Sequence, residues 1–314
     1  MCSIFGIFGL QPGDDIQALR RQSLDCSQRQ RHRGPDWSGV YIDEGGASEG
    51  AILVHERLAI VDPAGGSQPL LSEDRGLALA VNGEIYNHKQ LKAELKQAYA
   101  FQTESDCEVI NALYLEDAPA SFLNRLNGIF AFALWDAGKG RAIIARDPLG
   151  VCPLYWGHDK EGRLRVASEI KSLVDDCADV AQFPPGHWYD TATGELTKYY
   201  QRPWRDYDVV EGVEVSLQEL REAFEAAVHR QLMTDVPYGV LLSGGLDSSL
   251  VAAVAARYAR HRIEDGDRTE AWWPRLHSFA IGLKGSPDLA AAKIAAEALG
   301  TVHHGFEYTF EEGL

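Results

Sequence analysis

The pattern of secondary structure changes about two-thirds of the way along this 314-residue chain, and the change limits the folds open to it. From Met1 to about Asp208, short β-like runs such as CSIFGIFG and GIFAFALWD are separated by turn signals such as DAGKG and TATG. A few helical segments interrupt these runs. Many short strands with inserted helices predict an α+β layered domain over residues 1–208.

The second part, residues 209–314, alternates helices and strands. Ser216 followed by Glu219 has the pattern of a capping box, and the helix behind it carries its apolar residues on one face: Leu220, Phe224, Ala227, Val228 and Leu232. Apolar strands YGVLL, LHSFAIGL and TVHHGFEY then alternate with helices LVAAVAARYAR and PDLAAAKIAAEAL. This order predicts a second domain with a parallel α/β sheet. Because only three strands precede Leu314, we expect this domain to be incomplete and the chain to be C-terminally truncated.

Composition and charge exclude several functions. The chain has 46 acidic and 30 basic residues and a net charge of −16, so we expect no nucleic-acid partner. The opening run lacks the basic region of a secretory signal, and the longest apolar run, IFAFALW, is far too short to cross a bilayer. We therefore expect no membrane partner and a cytoplasmic location.

The cysteines point to one candidate nucleophile. The five of them are scattered without a CxxC pair, which indicates reduced thiols: Cys2, Cys26, Cys107, Cys152 and Cys177. Cysteine is small enough for the initiator methionine to be removed, so Cys2 is predicted to carry both a thiol and a free α-amine. Their ordinary pKa values, about 8.5 and about 7.7, let the amine take the thiol proton near neutral pH. Such a residue can attack an unactivated amide; the structural alternative is a small apolar residue on a first strand.

The segment SGGLDSS, between an apolar strand and a helix, predicts a phosphate site. Two glycines allow close backbone approach, the helix start offers N–H groups, the serines add hydroxyls, and the aspartate is a candidate Mg²⁺ ligand. No Walker A lysine is present, which favours pyrophosphate as a leaving group. The alternative is a serine-capped turn without a ligand. The residues are Ser243, Gly244, Gly245, Asp247, Ser248 and Ser249.

These segments resemble known families. SGGLDSS resembles the pyrophosphate loop of the ATP pyrophosphatase superfamily, whose members adenylate a carboxylate or carbonyl and release pyrophosphate. RHRGPDWSG, HERLAIVD, AVNGEIYNH and TESDCEVI resemble the glutamine site of class II amidotransferases, which are N-terminal-nucleophile enzymes. That resemblance implies a four-layer αββα sandwich for the first domain.

The amidotransferase resemblance also implies roles for single residues. Arg57 would pair with the α-carboxylate of glutamine, and Asp106, assisted by Glu84, would hold its α-ammonium. The Asn82 side chain and the Gly83 N–H would form the oxyanion hole. Taken singly, each residue has a structural alternative: a hairpin turn at Asn82–Gly83, a strand-edge charge at Arg57, and a helix N-cap at Asp106.

Together with ARDPLGVCPLYWG, ASEIKSL and LHSFAIGLKGSPD, these motifs resemble the B-type, glutamine-hydrolysing asparagine synthetase family along the whole chain. The resemblance implies glutamine hydrolysis through a γ-glutamyl thioester on Cys2 and an internal ammonia tunnel. It further implies β-aspartyl-AMP made from ATP and aspartate, with Mg²⁺, and with Leu242 and Ile281 at the nucleotide. A homodimer is compatible with this family.

One departure and three alternatives accompany this interpretation. The family's SGEGSDE-like segment would lie beyond Leu314, so we expect this chain to keep the glutaminase half and not to make asparagine. An amidotransferase with a phosphosugar acceptor is disfavoured by SGGLDSS, and a β-lactam-forming relative by Cys2. A non-catalytic glutamine- or nucleotide-binding remnant stays open. No metal site is expected at His303 and His304, since neighbouring residues of a strand point to opposite faces.

Overall fold

The computed structural model describes residues 2–46, 49–260 and 275–313. They divide into two compact units, Met1–Val209 and Val210–Leu314. A short helix, α5 (Tyr207–Val210), spans the boundary. None of the helices in these ranges has the length and hydropathy that a bilayer crossing requires.

The first unit is an α+β sandwich with four layers in the order αββα, as the family resemblance implied. Its strands are β1 (Ser3–Leu10), β2 (Trp37–Asp43), β3 (Gly50–Arg57), β4 (Leu70–Leu71), β5 (Leu77–Ile85), β6 (Gly128–Asp136), β7 (Arg141–Arg146), β8 (Tyr155–His158), β9 (Leu164–Ala167), β10 (Ala181–Gln182), β11 (His187–Asp190) and β12 (Glu195–Lys198). Its helices are α1 (Ile16–Gln28), α2 (His88–Ala93), α3 (Val109–Glu116) and α4 (Pro119–Phe122). Sheet I has the order β10-β8-β9-β1-β3-β2 and sheet II the order β12-β11-β7-β6-β5-β4, both antiparallel.

Side-chain alternation along β1 explains the layering. Ile4 and Phe8 point between the sheets, where they pack against small residues of sheet II such as Ala80 and Ala131. Phe5, one residue away, points outward to the layer that contains α1. The same alternation turns Cys2, just before β1, toward sheet II. Alanines on the facing strands let the two sheets approach closely, so residues from both sheets can share one site.

The outer face of sheet II packs against helices α2 and α3. Leu79, Val81 and Ile85 of β5 form a core with residues of α3 such as Val109 and Leu113. The same strand therefore has an apolar outer face and an inner face that changes from alanine to Asn82 and Glu84. The polar part of β5 lies where the candidate site forms.

The second unit has a three-stranded parallel sheet, which confirms the predicted strand direction. Its elements are α6 (Leu217–Arg230), β13 (Gly239–Leu241), α7 (Leu246–Tyr258), β14 (His277–Leu283), α8 (Pro287–Leu299) and β15 (Val302–Tyr308). The Ser216 hydroxyl caps α6 by accepting from the Glu219 N–H at 3.2 Å, as the sequence pattern predicted. The apolar face of α6 is only partly buried, because Val228 packs against the unit whereas Leu220 and Phe224 stay exposed.

Candidate functional site

The Cys2 thiol is buried and held by backbone groups. Its Sγ accepts from the Leu58 N–H at 3.3 Å and lies 3.5 Å from the Leu58 carbonyl oxygen. Arg33 fixes the main chain at this position, since its Nε donates to the Cys2 carbonyl oxygen at 3.1 Å. Within the described ranges, no side-chain base is hydrogen-bonded to Sγ. The predicted removal of Met1 concerns a residue outside those ranges.

Burial raises the pKa of the Cys2 thiol to about 11, and the negative charge of Glu84 acts in the same direction. The Leu58 N–H opposes this shift by donating to the sulfur. The thiol is therefore neutral at pH 7 and must lose its proton when it attacks. A base close to Sγ is needed at that moment.

Arg57 ends β3 and is almost fully buried, with 5% of its surface exposed. Its guanidinium donates at 2.6–3.2 Å to three successive carbonyl oxygens, those of Val61, Asp62 and Pro63. The segment after β3 thus wraps around the guanidinium and fixes its direction. Because β3 lies between β1 and β2 in sheet I, a strand-edge charge, the structural alternative for Arg57, is wrong.

Asn82 and Gly83 lie inside β5, so the hairpin-turn alternative is wrong. The Tyr86 N–H donates to the carbonyl of Asn127, the residue just before β6, so the N–H groups of alternate residues of β5 point to β6. The Gly83 N–H therefore points to the opposite, open edge of β5. Gly83 has a φ of +145°, and a Cβ there would overlap the Ile129 carbonyl oxygen. Only glycine fits this position.

The Asn82 amide is fully buried, yet among the described residues neither its oxygen nor its nitrogen has a hydrogen-bond partner. Burying an unpaired amide costs roughly 1–3 kcal/mol, so such groups are rare unless they serve a ligand. The amide lies on the same face of β5 as Glu84. The Asn82 amide is therefore available to hydrogen-bond to a ligand.

Glu84, which is partly buried, and Asp106, which is almost fully buried, form a carboxyl pair. They are hydrogen-bonded to each other, and Asp106 Oδ2 also accepts from the Ile85 N–H at 2.6 Å. Burial raises the pKa of both groups, and the repulsion from Asp106 raises that of Glu84 well above its ordinary value. The raised pKa values favour the sharing of one proton between the two carboxyls, and a bound cation would favour its release. The N-cap alternative for Asp106 is wrong, because Ser105 caps this turn by accepting from the Cys107 N–H.

A small cavity of about 20 Å³ joins these groups, enough for about one water. The sequence-predicted residues that line it are Cys2, Arg57, Gly83, Glu84 and Asp106. Asn82 is fully buried and is not part of the lining. An amino-acid ligand must widen the cavity, and the segment after Arg57 forms one of its walls through Ile60, Val61 and Gly66.

Two contributors to this site were missed by sequence reasoning. Leu58 holds the sulfur through its main chain, which leaves no signal in the side-chain pattern. Arg33 belongs to the segment RHRGPDWSG, and its basic run was the available signal. Since Arg33 is 31 residues from Cys2, only the folded chain shows that the two meet.

In the second unit, a cavity of about 480 Å³ lies at the carboxyl ends of the parallel strands, where such sheets bind ligands. It is lined by Leu241, Leu242, Ser243, Phe279, Ala280, Ile281, Asp288, Leu289 and Phe306. The predicted nucleotide contacts Leu242, Ser243 and Ile281 are thus together in one largely apolar cavity. Gly244, Gly245, Asp247, Ser248 and Ser249 follow Ser243 in the chain and are not part of the lining.

Serine side chains in the segment after β13 form hydrogen bonds within that segment. The Ser243 and Ser248 hydroxyls are 2.9 Å apart, and Ser248 Oγ also donates to the Gly245 carbonyl at 3.2 Å. The first turn of α7 keeps N–H groups without intrahelical acceptors, which favours an anion there. Asp247 is the acidic residue of that turn. A single carboxylate is typical of a Mg²⁺ that is bound mainly by the phosphates of a nucleotide. An ion held by the protein alone would need more ligands.

We expect Gly244→Ala to destabilise the second unit by about 1–3 kcal/mol. Gly244 has a φ of +80°, and a Cβ there would lie 2.5 Å from main-chain atoms of Ala291 and Ala292 in α8. Gly245→Ala is the matched control, because Gly245 has a φ of −72° and the nearest atom to its Cβ, Ser243 Oγ, is 3.4 Å away. Thermal unfolding followed by circular dichroism measures both. Equal melting temperatures for the two variants would contradict this loop geometry.

Comparison with known proteins identifies the first unit. The family model described as "Glutamine amidotransferase domain" matches residues 1–185, more than half of the chain. The chain belongs to the glutamine amidotransferase domain family. A second model, described as "Asparagine synthase", matches residues 219–314, behind the amidotransferase domain.

Curated relatives match the whole chain. It is 54% identical over 314 residues to asparagine synthetase B [glutamine-hydrolyzing] of Escherichia coli K12 and 48% identical over 320 residues to a probable asparagine synthetase [glutamine-hydrolyzing] of Dictyostelium discoideum. In both comparisons 100% of this chain is covered, and it spans 55% and 56% of those proteins. The chain therefore corresponds to about half the length of these relatives.

Solved structures support the fold of the amidotransferase domain. Glutamine phosphoribosylpyrophosphate amidotransferase from B. subtilis superimposes with a TM-score of 0.53 at 18% identity, covering 98% of this chain and 91% of that one. The allosteric regulatory enzyme of purine biosynthesis gives a TM-score of 0.51 at 22% identity, covering 97% and 80%. At these identities the likeness concerns the fold.

Proposed function

We propose that the first unit hydrolyses glutamine at Cys2, and that the protein to which this chain corresponds uses the ammonia to make asparagine from aspartate and ATP. The observation that carries the first statement is the cavity in which a buried thiol, a fixed guanidinium and a carboxyl pair meet. The second statement is supported by the relatives, which are named as glutamine-hydrolysing asparagine synthetases.

Substrate recognition follows from the charges in the cavity. The Arg57 guanidinium would pair with the α-carboxylate, and Glu84 with Asp106 would pair with the α-ammonium. The two charged ends of an amino acid are then fixed, and its side-chain amide is directed to Cys2. A molecule with an amide but without these α-groups would lose both anchors.

The chemical steps use the groups beside Sγ. As sulfur attacks the amide carbon, the α-amine of a Met1-free Cys2 takes the thiol proton and later gives it to the departing ammonia. The Gly83 N–H and the Asn82 amide would donate to the oxygen that becomes negative. Water then cleaves the γ-glutamyl thioester and releases glutamate. The raised pKa of the thiol supports the need for this base.

The second unit would contribute the nucleotide site of the synthetase reaction. Apolar walls at Leu242 and Ile281 suit a base, and loop residues 243–245 with the first turn of α7 suit phosphates. Mg²⁺ bound to those phosphates would neutralise their charge with Asp247 beside it. ATP would then activate aspartate as β-aspartyl-AMP with release of pyrophosphate. A cytoplasmic location and a homodimer stay predictions.

Release of glutamate from glutamine by the purified chain is the direct test. We expect a time-dependent, saturable release of glutamate and ammonia from glutamine, and no release of ammonia from glutarate monoamide, which carries the amide without the α-ammonium. Release from neither compound would contradict the proposed function and would favour the non-catalytic remnant.

Glutamine binding should weaken as the pH falls. Because the pKa values of Glu84 and Asp106 are raised, the pair holds a proton below those values and cannot offer its full charge to the α-ammonium. Between about pH 8 and pH 5, Kd should rise, by at most about tenfold per pH unit for one linked proton. Calorimetry on the Cys2→Ala variant, in buffers of different ionisation enthalpy, should show proton release on binding. A Kd that is independent of pH, or no difference between Glu84→Gln and its parent, would contradict the shared proton.

A further inference from the structure

His55 lies between the two sheets of the first unit, and neither the predicted chemistry nor the substrate contacts use it. It is fully buried on β3, directly opposite Ile4 of β1 and two residues before Arg57. Its Nε2 is 2.9 Å from the Val81 carbonyl oxygen, which belongs to β5 in the other sheet. This hydrogen bond therefore connects sheet I, which carries Cys2 and Arg57, to sheet II.

The hydrogen bond determines the state of the imidazole. A carbonyl oxygen can only accept, so Nε2 carries the proton and donates, while Nδ1 keeps its lone pair. Burial and the positive charge of Arg57 lower the pKa of His55 to about 4, which keeps the ring neutral at physiological pH. The ring thus serves as a fixed donor and brings no second positive charge close to the guanidinium.

The acceptor carbonyl belongs to the peptide that joins Val81 to Asn82. The N–H of Val81, which belongs to the preceding peptide, donates to Gln68 Oε1 at 2.7 Å. Further along the same open edge of β5, the Ile85 N–H donates to Asp106. Side chains thus anchor the edge before and after the two residues, Asn82 and Gly83, that would stabilise the oxyanion.

We propose that His55 is a positioning residue, which holds the Val81–Asn82 peptide so that the Asn82 amide and the Gly83 N–H stay at the correct distance from Cys2. This inference rests on the proposed function. His55 does not touch the substrate in this role, since it is absent from the cavity lining. Its effect is therefore expected in the transition state and not in the anchoring of the α-groups, which Arg57, Glu84 and Asp106 provide.

The test compares two substitutions of similar size. His55→Met removes the donor, and His55→Gln keeps an N–H group that can reach the Val81 carbonyl. We expect His55→Met to lower kcat for glutamine hydrolysis by about 10- to 100-fold, as small misplacements do, with KM within about threefold of wild type. His55→Gln should recover kcat to within about fivefold. Both melting temperatures are measured in parallel.

Tyr114→Phe is the matched control for the loss of any buried hydrogen bond in this unit. Tyr114 donates to Asp136 Oδ2 at 2.8 Å, and neither residue lines the cavity at Cys2. It should lower the melting temperature and leave kcat unchanged. The inference is overturned if His55→Met keeps the wild-type kcat, if His55→Gln fails to restore it, or if Tyr114→Phe lowers kcat equally. Wild-type protein that releases no glutamate would instead contradict the proposed function.

Discussion

Replacing Cys2 with alanine or serine should abolish glutamate release, with kcat reduced by at least about 10⁴-fold. Alanine removes the nucleophile, and serine replaces the thiol by a hydroxyl that is far harder to deprotonate. The fold should survive either change, because Cys2 precedes β1 and contributes no strand hydrogen bond of its own. Release of glutamate is measured with a coupled glutamate dehydrogenase assay.

Cys26→Ala is the matched control for this experiment. Cys26 is also buried, and burial likewise raises its pKa to about 11, but it lies on α1 in the outer layer. It should keep kcat within about threefold of wild type. Similar losses in the Cys2 and Cys26 variants would show that the thiol at position 2 has no special role.

Asn82→Leu should lower kcat by about 10²- to 10³-fold while leaving the melting temperature equal or higher. The loss of activity follows from the loss of an oxyanion donor. The stability follows from the unpaired state of the amide, because no protein hydrogen bond of the described residues is lost when an apolar group of similar size replaces it. Activity and thermal unfolding are measured on the same preparation.

Asn111→Leu provides the contrasting control. Asn111 is equally buried, on α3, but its Nδ2 donates to the Leu70 carbonyl at 3.4 Å. Its substitution should lower the melting temperature by a few degrees and leave kcat unchanged. Full activity in Asn82→Leu would contradict the oxyanion role, and a fall in its melting temperature matching that of Asn111→Leu would contradict the unpaired amide.

Periodicity was sufficient to predict an α+β domain followed by a parallel α/β sheet, whereas the four-layer αββα arrangement was implied by the family resemblance. Strand-like runs such as GIFAFALWD and RAIIAR form strands, and the alternation after Asp208 forms a parallel sheet. The apolar face of α6 shows the limit of this reasoning. Periodicity identified the face, but it did not predict that Leu220 and Phe224 would stay exposed.

The candidate site was only partly predictable. Asn-Gly is typical of a hairpin turn, and in β5 it lies within a strand because pairing with β6 overrides the local preference. The motifs supplied Cys2, Arg57 and Asp106, although their roles stay predictions. The contributions of Arg33 and His55 depend on contacts between distant segments, which no local pattern records.

The most direct test of the account is mass spectrometry of the chain after incubation with a chloroketone analogue of glutamine. The α-groups of the analogue should anchor at Arg57 and the carboxyl pair, and the sulfur should displace chloride. We predict one adduct per chain, on a Cys2 that has become the N-terminal residue, with protection by excess glutamine. Labelling of another cysteine, labelling that glutamine does not prevent, or an unmodified Cys2 would contradict the account.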